Sequence, residues 1–501
     1  MANIKKTYIA SAMTTFTRLH LIQRHAVKLN MTKEYDEFIQ GVLFGLDDYT
    51  EHCGVGSLYN AFTEQATEDI LIGLNTPEKT LMVQSDSGGL QVITLGKTMT
   101  PEIKLGIYKC QATFSSHAMS FDKMPILVDE AKRHTIAGSN NAGQGMKMDH
   151  SLKYFVEELR FDAGRESGFN IKEQIEVFMK EKSDTKVMVI VQGWEIEDYN
   201  EYARGVYSVF NEMPDAQKAE YFEYIGGLSL ATSGIIPYFQ MFDLYCRAPR
   251  DLTEVPEEHR KLIHILGLGG PSKSGVLFAL NNDFFGKDVH YTFDSTSHTG
   301  ASTFGKYTKL VDESFIRDGE ETHSLKLVSG CLGRDKDAPD VAEFMQKTQD
   351  AYEDLLMNTI GGNKLSRKEF QEKYSPWRED GMTGIKPFQE KFGEIEGIRN
   401  HLNAISLQTY LHFAMELRTY FDQVELFRKG DFHSIPDKDY RWAMTKLSKI
   451  KTYEEYMEQR ETFKIRLKNK RKSTMTKVAT VADFERICKE KDEEGINEDE
   501  W

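Results

Sequence analysis

The sequence predicts an α/β fold, a (β/α)8 barrel with a helical insertion and a C-terminal helical extension. Three observations predict it. The chain has 501 residues and a mass of 57.5 kDa, above the usual single-domain size, so one large barrel with additions, or two to three domains, is expected. Six short apolar runs end abruptly in small or polar residues. Helix-like segments separate these runs, the alternation expected of parallel strands buried on both faces.

In chain order, Thr7–Ser11 and Asp69–Gly73 are the expected first two strands. The six clearer runs follow as Lys79–Gly89, Ala118–Pro125, Lys186–Trp194, Tyr224–Ser229, Leu262–Gly270 and Asp288–Ser295. In a barrel of this kind the polar residues that close each run collect at the C-terminal strand ends, where active sites lie. A doubly wound open sheet is the competing architecture. The barrel core is assigned to residues 1–325 and a charged helical insertion to 326–400, broken by Gly361-Gly362, Ser375-Pro376 and Lys386-Pro387. Apolar residues at roughly helical spacing, from Leu402 to Phe421, predict a long closing helix over 401–430. Residues 431–501 read as a helical extension with a basic stretch and an acidic tail.

Composition narrows the function. With 40% hydrophobic and 28% charged residues, the chain can build a sizeable core, which excludes wholesale disorder. No apolar run approaches the roughly 20 residues of a membrane span, so no membrane partner is expected. Met1–Phe16 lacks the long apolar stretch of a secretory signal. The cysteines stand at 53, 110, 246, 331 and 488, an odd, widely spaced set without C-x-x-C, which points to a reducing cytoplasm. A net charge of −15 argues against a general nucleic-acid coating protein, yet residues 464–477 hold seven basic side chains and no acidic one.

The segment Ser85-Asp86-Ser87-Gly88-Gly89-Leu90-Gln91-Val92 places a carboxylate where bare backbone lets a ligand approach. Alone, it is also an ordinary turn. Ser120-Phe121-Asp122, Val191-Gln192-Gly193 and Phe293-Asp294-Ser295 each leave a hydrogen-bonding side chain directly after an apolar run, and Ile225–Ser229 adds exposed backbone. For any single aspartate, a helix N-cap in a strand–helix loop is the bland alternative.

These motifs, with ILGLGG over 265–270, resemble in order and spacing those of the tRNA-guanine transglycosylase superfamily, over about 70–340 and 400–424. The resemblance implies a TIM barrel that exchanges a base in a nucleic acid. It makes Asp294 the nucleophile and Asp86 the general acid/base, a division of labour that retaining glycosidases also use. It gives Asp122 the ring N–H and exocyclic amine of guanine, and gives Gln192 and the Gly227 N–H the guanine carbonyl. Ser87, Leu228 and Leu266 complete the implied pocket. A carboxylate facing two donors rejects adenine, which would leave buried polar groups unpaired.

Departures from the family carry information too. The family's zinc cluster of three cysteines and a histidine is missing: only Cys331 falls in the region, and Leu407 or Gln408 stands where the histidine belongs. No metal and no cofactor are therefore expected. Thr296-Ser297-His298-Thr299 replaces Pro-Thr-Arg after the nucleophile, and Trp194 replaces a glycine, where it could support an extruded base or pack on a neighbouring loop. These departures resemble the 7-deazaguanine DNA transglycosylases of bacteria and their viruses, which implies DNA and a free 7-deazaguanine base as partners and protection of DNA from restriction. A tRNA enzyme, a non-catalytic RNA-docking partner subunit and an unrelated glycoside hydrolase are the alternatives. Lys468, Lys470, Arg471 and Lys472 are the candidate phosphate contacts, unless the acidic tail simply balances them. The sequence leaves the oligomeric state open.

Overall fold

A computed structural model describes residues 2–11, 52–57, 82–87, 100–129, 153–231, 235–268, 271–295, 306–317, 320–331, 419–420, 422–468, 470 and 475–494. The described strands of the main sheet are β1 (Ile4–Ser11), β2 (His52–Ser57), β3 (Met82–Asp86) and β4 (His117–Met119). After β5 (Ile126–Val128) and β6 (Lys153–Val156), which lie outside this sheet, come β7 (Lys186–Val191), β8 (Ile225–Leu230), β9 (Leu262–Ile265) and β10 (Val289–Ser295). All eight main-sheet strands are parallel and pair in the order β1-β10-β9-β8-β7-β4-β3-β2. The β1–β2 pairs, Ala10 with Cys53 and Ser11 with Gly54, bring the curled sheet back on itself. The fold is α/β and TIM-like.

The six clear runs of the sequence each overlap a strand, and Thr7–Ser11 lies within β1. Asp69–Gly73 lies outside the described residues, and the strand between β1 and β3 is His52–Ser57. The helices are α1 (Pro101–Phe114), α2 (Arg160–Glu181), α3 (Ile196–Asn211), α4 (Asp215–Phe222), α5 (Tyr238–Asp251) and α6 (Pro271–Ala279). Further along come α7 (Lys438–Leu447), α8 (Tyr453–Leu467) and α9 (Val481–Glu494).

Side-chain alternation divides each strand between two cores. Val187, Val189 and Val191 of β7, Leu228 and Leu230 of β8, Ile263 and Ile265 of β9, and Tyr291 and Phe293 of β10 join the large core shared with the helices. Their neighbours Met188 and Ile190, with Met119, Ala231, Leu262 and Leu266, form a separate inner cluster. Polar residues sit at the inner parity as well. Ser229, His264 and Thr292 follow one another in register across β8, β9 and β10.

α2 and α3 cross at backbone contact distance. A Cβ on Gly164 would meet the Tyr202 carbonyl oxygen at 2.1 Å, and one on Gly205 the Phe161 carbonyl oxygen at 2.1 Å. This crossing sets Ser167 against Tyr202, 2.6 Å between hydroxyls.

The sequence places residues 326–331 in a helical insertion, but they are strand. β11 (Lys306–Arg317) and β12 (Glu320–Cys331) form one antiparallel hairpin in unbroken register. Most of 326–400 and of the expected closing helix lies outside the described residues, although 422–428 is helical. The extension is helical as expected, with one addition. β13 (Thr476–Val478) pairs in parallel with β6, making a small sheet in the order β13-β6-β5. Among the described residues no helix is long and apolar enough to cross a membrane.

Candidate active site

The strand ends that the sequence singles out meet at one end of the sheet. Asp122 follows β4, and its loop is pinned from outside: Ser167 Oγ accepts the Lys123 N–H at 2.7 Å, and Tyr202 Oη donates to the Lys123 carbonyl at 2.9 Å. Gln192 follows β7 and donates from Nε2 to Asp122 Oδ2 at 2.5 Å. Both side chains are buried. Burial pushes the Asp122 carboxyl up from 3.8 to about 6, against the hydrogen bond from Gln192, which holds it down, and with the nearby Asp86 charge adding to the rise. Asp86 is thus close enough to act on Asp122. Gln192 Oε1, Ser87 Oγ and Ser229 Oγ are buried without a partner among the described residues. Such orphaned atoms fit a pocket awaiting a polar ligand.

Asp294, at the inner parity of β10, has its own support. The Gly267 N–H donates to Oδ1 at 2.8 Å, and His264 Nε2 lies 3.4 Å from the same oxygen. Gly267 has φ +64°, a left-handed conformation that favours glycine and aims this N–H. Behind His264, Nδ1 is 2.9 Å from Thr292 Oγ1, which accepts from Gln84 Nε2 at 3.2 Å. One direction of donation places a proton between His264 and Asp294. The Gln84 amide donates to Thr292, the Thr292 hydroxyl donates to His264 Nδ1, and the Nε2 proton then faces Asp294. In that arrangement Asp294 Oδ1 accepts from both the Gly267 N–H and His264. The same hydrogen-bond chain ties β10 to β3, whose end carries Asp86.

Two expected pocket residues are not brought there. Leu228 points to the outer face and is fully buried in the core shared with the helices, because it has the opposite parity to the inward-facing Ser229. Gly227 is in register with Met188, four residues before Gln192 and about 13 Å below it along the strand. Leu266 does pack against the inner cluster. Trp194 is buried and packs 6.2 Å from the Phe155 ring, so it is part of the core and does not present a stacking face.

No family model, curated protein or solved structure matches this chain. The site rests on its own geometry.

Among the described residues no group of three or more histidine, cysteine or acidic side chains could hold a metal. His323 pairs with Asp312 on the β11–β12 hairpin at 3.5 Å, and His298 lies outside the described residues. The basic stretch is not one continuous helix, since α8 ends at Leu467. Lys470 is held by Asp437 at 3.0 Å and Asp439 at 2.7 Å, and Arg466 by Asp439 at 2.6 Å. These carboxylates compete with any phosphate for Lys470. Lys468 is exposed, while Arg471 and Lys472 lie outside the described residues.

Sequence reasoning missed His264, Ser229 and the Ser167–Tyr202 brace. A signal existed for the first: His264 is a polar residue inside the apolar run LIHIL, two positions before Leu266 and on the same face.

The raised Asp122 carboxyl makes a stability prediction. A carboxyl that holds its proton more tightly when folded contributes stability that is full below about 3.8 and lost as pH rises through about 6. Asp122→Asn should therefore raise stability at pH 7.5 by about 1–3 kcal/mol and leave it nearly unchanged at pH 4. Thermal denaturation at the two pH values checks this. Equal shifts at both would mean that the Asp122 charge is not what burial penalises.

Proposed function

We propose that this chain is a (β/α)8 TIM-barrel transglycosylase that exchanges guanine in DNA for a 7-deazaguanine base such as 7-cyano-7-deazaguanine. The supporting observation is the pairing of a buried carboxylate–amide couple, Asp122 with Gln192, with a second carboxylate, Asp294, supplied with donors from Gly267 and His264. The first couple offers an acceptor and a donor to the edge of a purine. The second offers a charged nucleophile.

The reaction then runs in two balanced steps. An Asp294 oxygen forms a bond to the anomeric carbon as the bond to guanine breaks, and Asp86 gives the leaving base its proton. The incoming 7-deazaguanine loses a proton to Asp86, attacks the same carbon and releases Asp294. Two displacements retain the configuration of the sugar. Asp122 must be ionised to accept two donors, so base affinity should fall about tenfold per pH unit below about 6. Protection of DNA from restriction would be the consequence of such an exchange.

Incubation with labelled guanine and either plasmid DNA or bulk tRNA tests the proposal. Label should enter DNA. Label entering tRNA alone would keep the chemistry and overturn the polymer; label entering neither would overturn the exchange itself.

A further inference from the structure

A cavity of about 700 Å³ lies on the outer flank of the sheet, away from the strand ends that carry the carboxylates. Its described lining comes from residues 3–6 at the start of β1, 278–282 at the end of α6, 427–430 at the end of the helical residues 422–428, and Ser448. The ionisable residues among these are Lys5, Lys6, Arg428 and Lys429, all cationic. Lys5, next to Lys6 on β1, has the opposite parity, so Lys6, Arg428 and Lys429 are the cations on the cavity's side of the sheet, in a chain of net charge −15. Two carboxylates adjoin the lining without belonging to it: Glu425 pairs with Arg428 at 3.1 Å, and Asp288 accepts the Asn3 N–H at 2.9 Å.

Lys6 is the informative group. Its Nζ donates to the Leu280 carbonyl at 3.2 Å and sits 5.9 Å from the Phe278 ring centroid. No carboxylate pairs with it among the described residues. Burial, and then the charge of Arg428, push it down from 10.5 to about 8. A half-buried lysine with no paired carboxylate among the described residues, held beside the Glu425-paired Arg428, is a standing electrostatic cost that an anion in the cavity relieves. The cavity volume falls within the usual range for small-molecule sites. Lys6 is in register with Tyr291, an outer-face residue, whereas Asp294 has the inner parity. The sheet therefore separates this cavity from the proposed site.

We infer that the cavity between β1, the end of α6 and residues 427–430 is a second binding site, for a small phosphorylated molecule whose phosphate is held by Lys6, Arg428 and Lys429. The shared chemistry is a phosphate or diphosphate, free or carried on a nucleotide. The inference is independent of the base-exchange proposal.

Calorimetric titration of the full chain with pyrophosphate at pH 8 tests it, with inorganic phosphate and a nucleoside diphosphate as parallel arms to distinguish the sources. Saturable binding is expected, with proton uptake seen as a dependence of the heat on the ionisation enthalpy of the buffer, because an anion restores the Lys6 proton. Lys6→Met should weaken binding by about tenfold or more, the effect of losing a charge-assisted hydrogen bond. Because Lys6 is half-buried, the exposed Arg428→Gln variant is a second test that leaves the packing intact, and it should weaken binding similarly. No saturable binding in any arm, or undiminished binding in both variants, overturns the site. Displacement of pyrophosphate by a short DNA duplex would also overturn it, assigning the cations to a polymer path.

Discussion

Asp294→Asn is expected to stop base exchange almost completely, with a drop in kcat of about a thousandfold or more. The amide keeps the size of the carboxylate and can still accept the Gly267 N–H, so the fold should be little affected. What it lacks is the charge that forms the glycosyl–enzyme bond, and it sets an amide beside the His264 Nε2 proton. Two measurements check the assignment. Single-turnover transfer of label should vanish while affinity for the free base stays within about twofold, since Asp122 and Gln192 are untouched. Rapid denaturation of the wild-type enzyme during turnover should trap a protein–DNA adduct, and the variant should give none. An active Asp294→Asn enzyme would remove the nucleophile from the proposal.

The largest expected loss of stability comes from Asp198→Ala. Asp198 is 1% exposed, yet it gathers partners from three parts of the chain. Its Oδ2 accepts the N–H groups of Trp194 at 3.2 Å and Glu195 at 3.0 Å, and Lys477 Nζ lies 2.9 Å from the same oxygen. Arg160 pairs with Oδ1. Removing this carboxylate strands Arg160 and two backbone donors, while Lys477 keeps Glu157 at 2.7 Å; such a change typically costs about 3–5 kcal/mol. Urea denaturation of the two proteins measures it. Lys477→Met should cost clearly less, because Arg160 still neutralises the carboxylate. A loss below about 1 kcal/mol in Asp198→Ala would mean that water replaces the partners.

Much of the fold was legible because strands buried on both faces announce themselves as apolar runs, and β7 is a plain case. The inner face was harder to read. Runs such as LIHIL and VHYTFDS look uniformly apolar only until they are divided by parity, when His264, Thr292 and Asp294 fall on one side. Leu228 and Gly227 show the limit of similarity by motif, since a match of letters carries neither the parity nor the depth of a strand position. β2 escaped notice for a different reason: HCGVGS has two glycines and no aromatic residue, so its strand propensity is weak and pairing with β1 and β3 supplies the rest. The β11–β12 hairpin was masked by its charge, which suits an exposed ribbon as well as a helix. Asp122 and Gln192 were recognisable as chemistry, but their contact brings together residues 70 apart and needed the fold to be seen.

The pairing of β13 with β6 bears on the order in which the molecule can assemble. During synthesis the strands β1 to β10 leave the ribosome long before residue 476. The α2–α3 crossing and the loop bearing Asp122 can therefore form early. Asp198 cannot receive Lys477, 279 residues away, until nearly the whole chain has emerged, and closing so long a loop is slow. The nascent protein thus passes through a stage in which the loop bearing Asp122 is formed but the buried carboxylate behind Trp194 has only Arg160 as counter-ion. Completion of the Asp198 cluster waits for the far end of the chain.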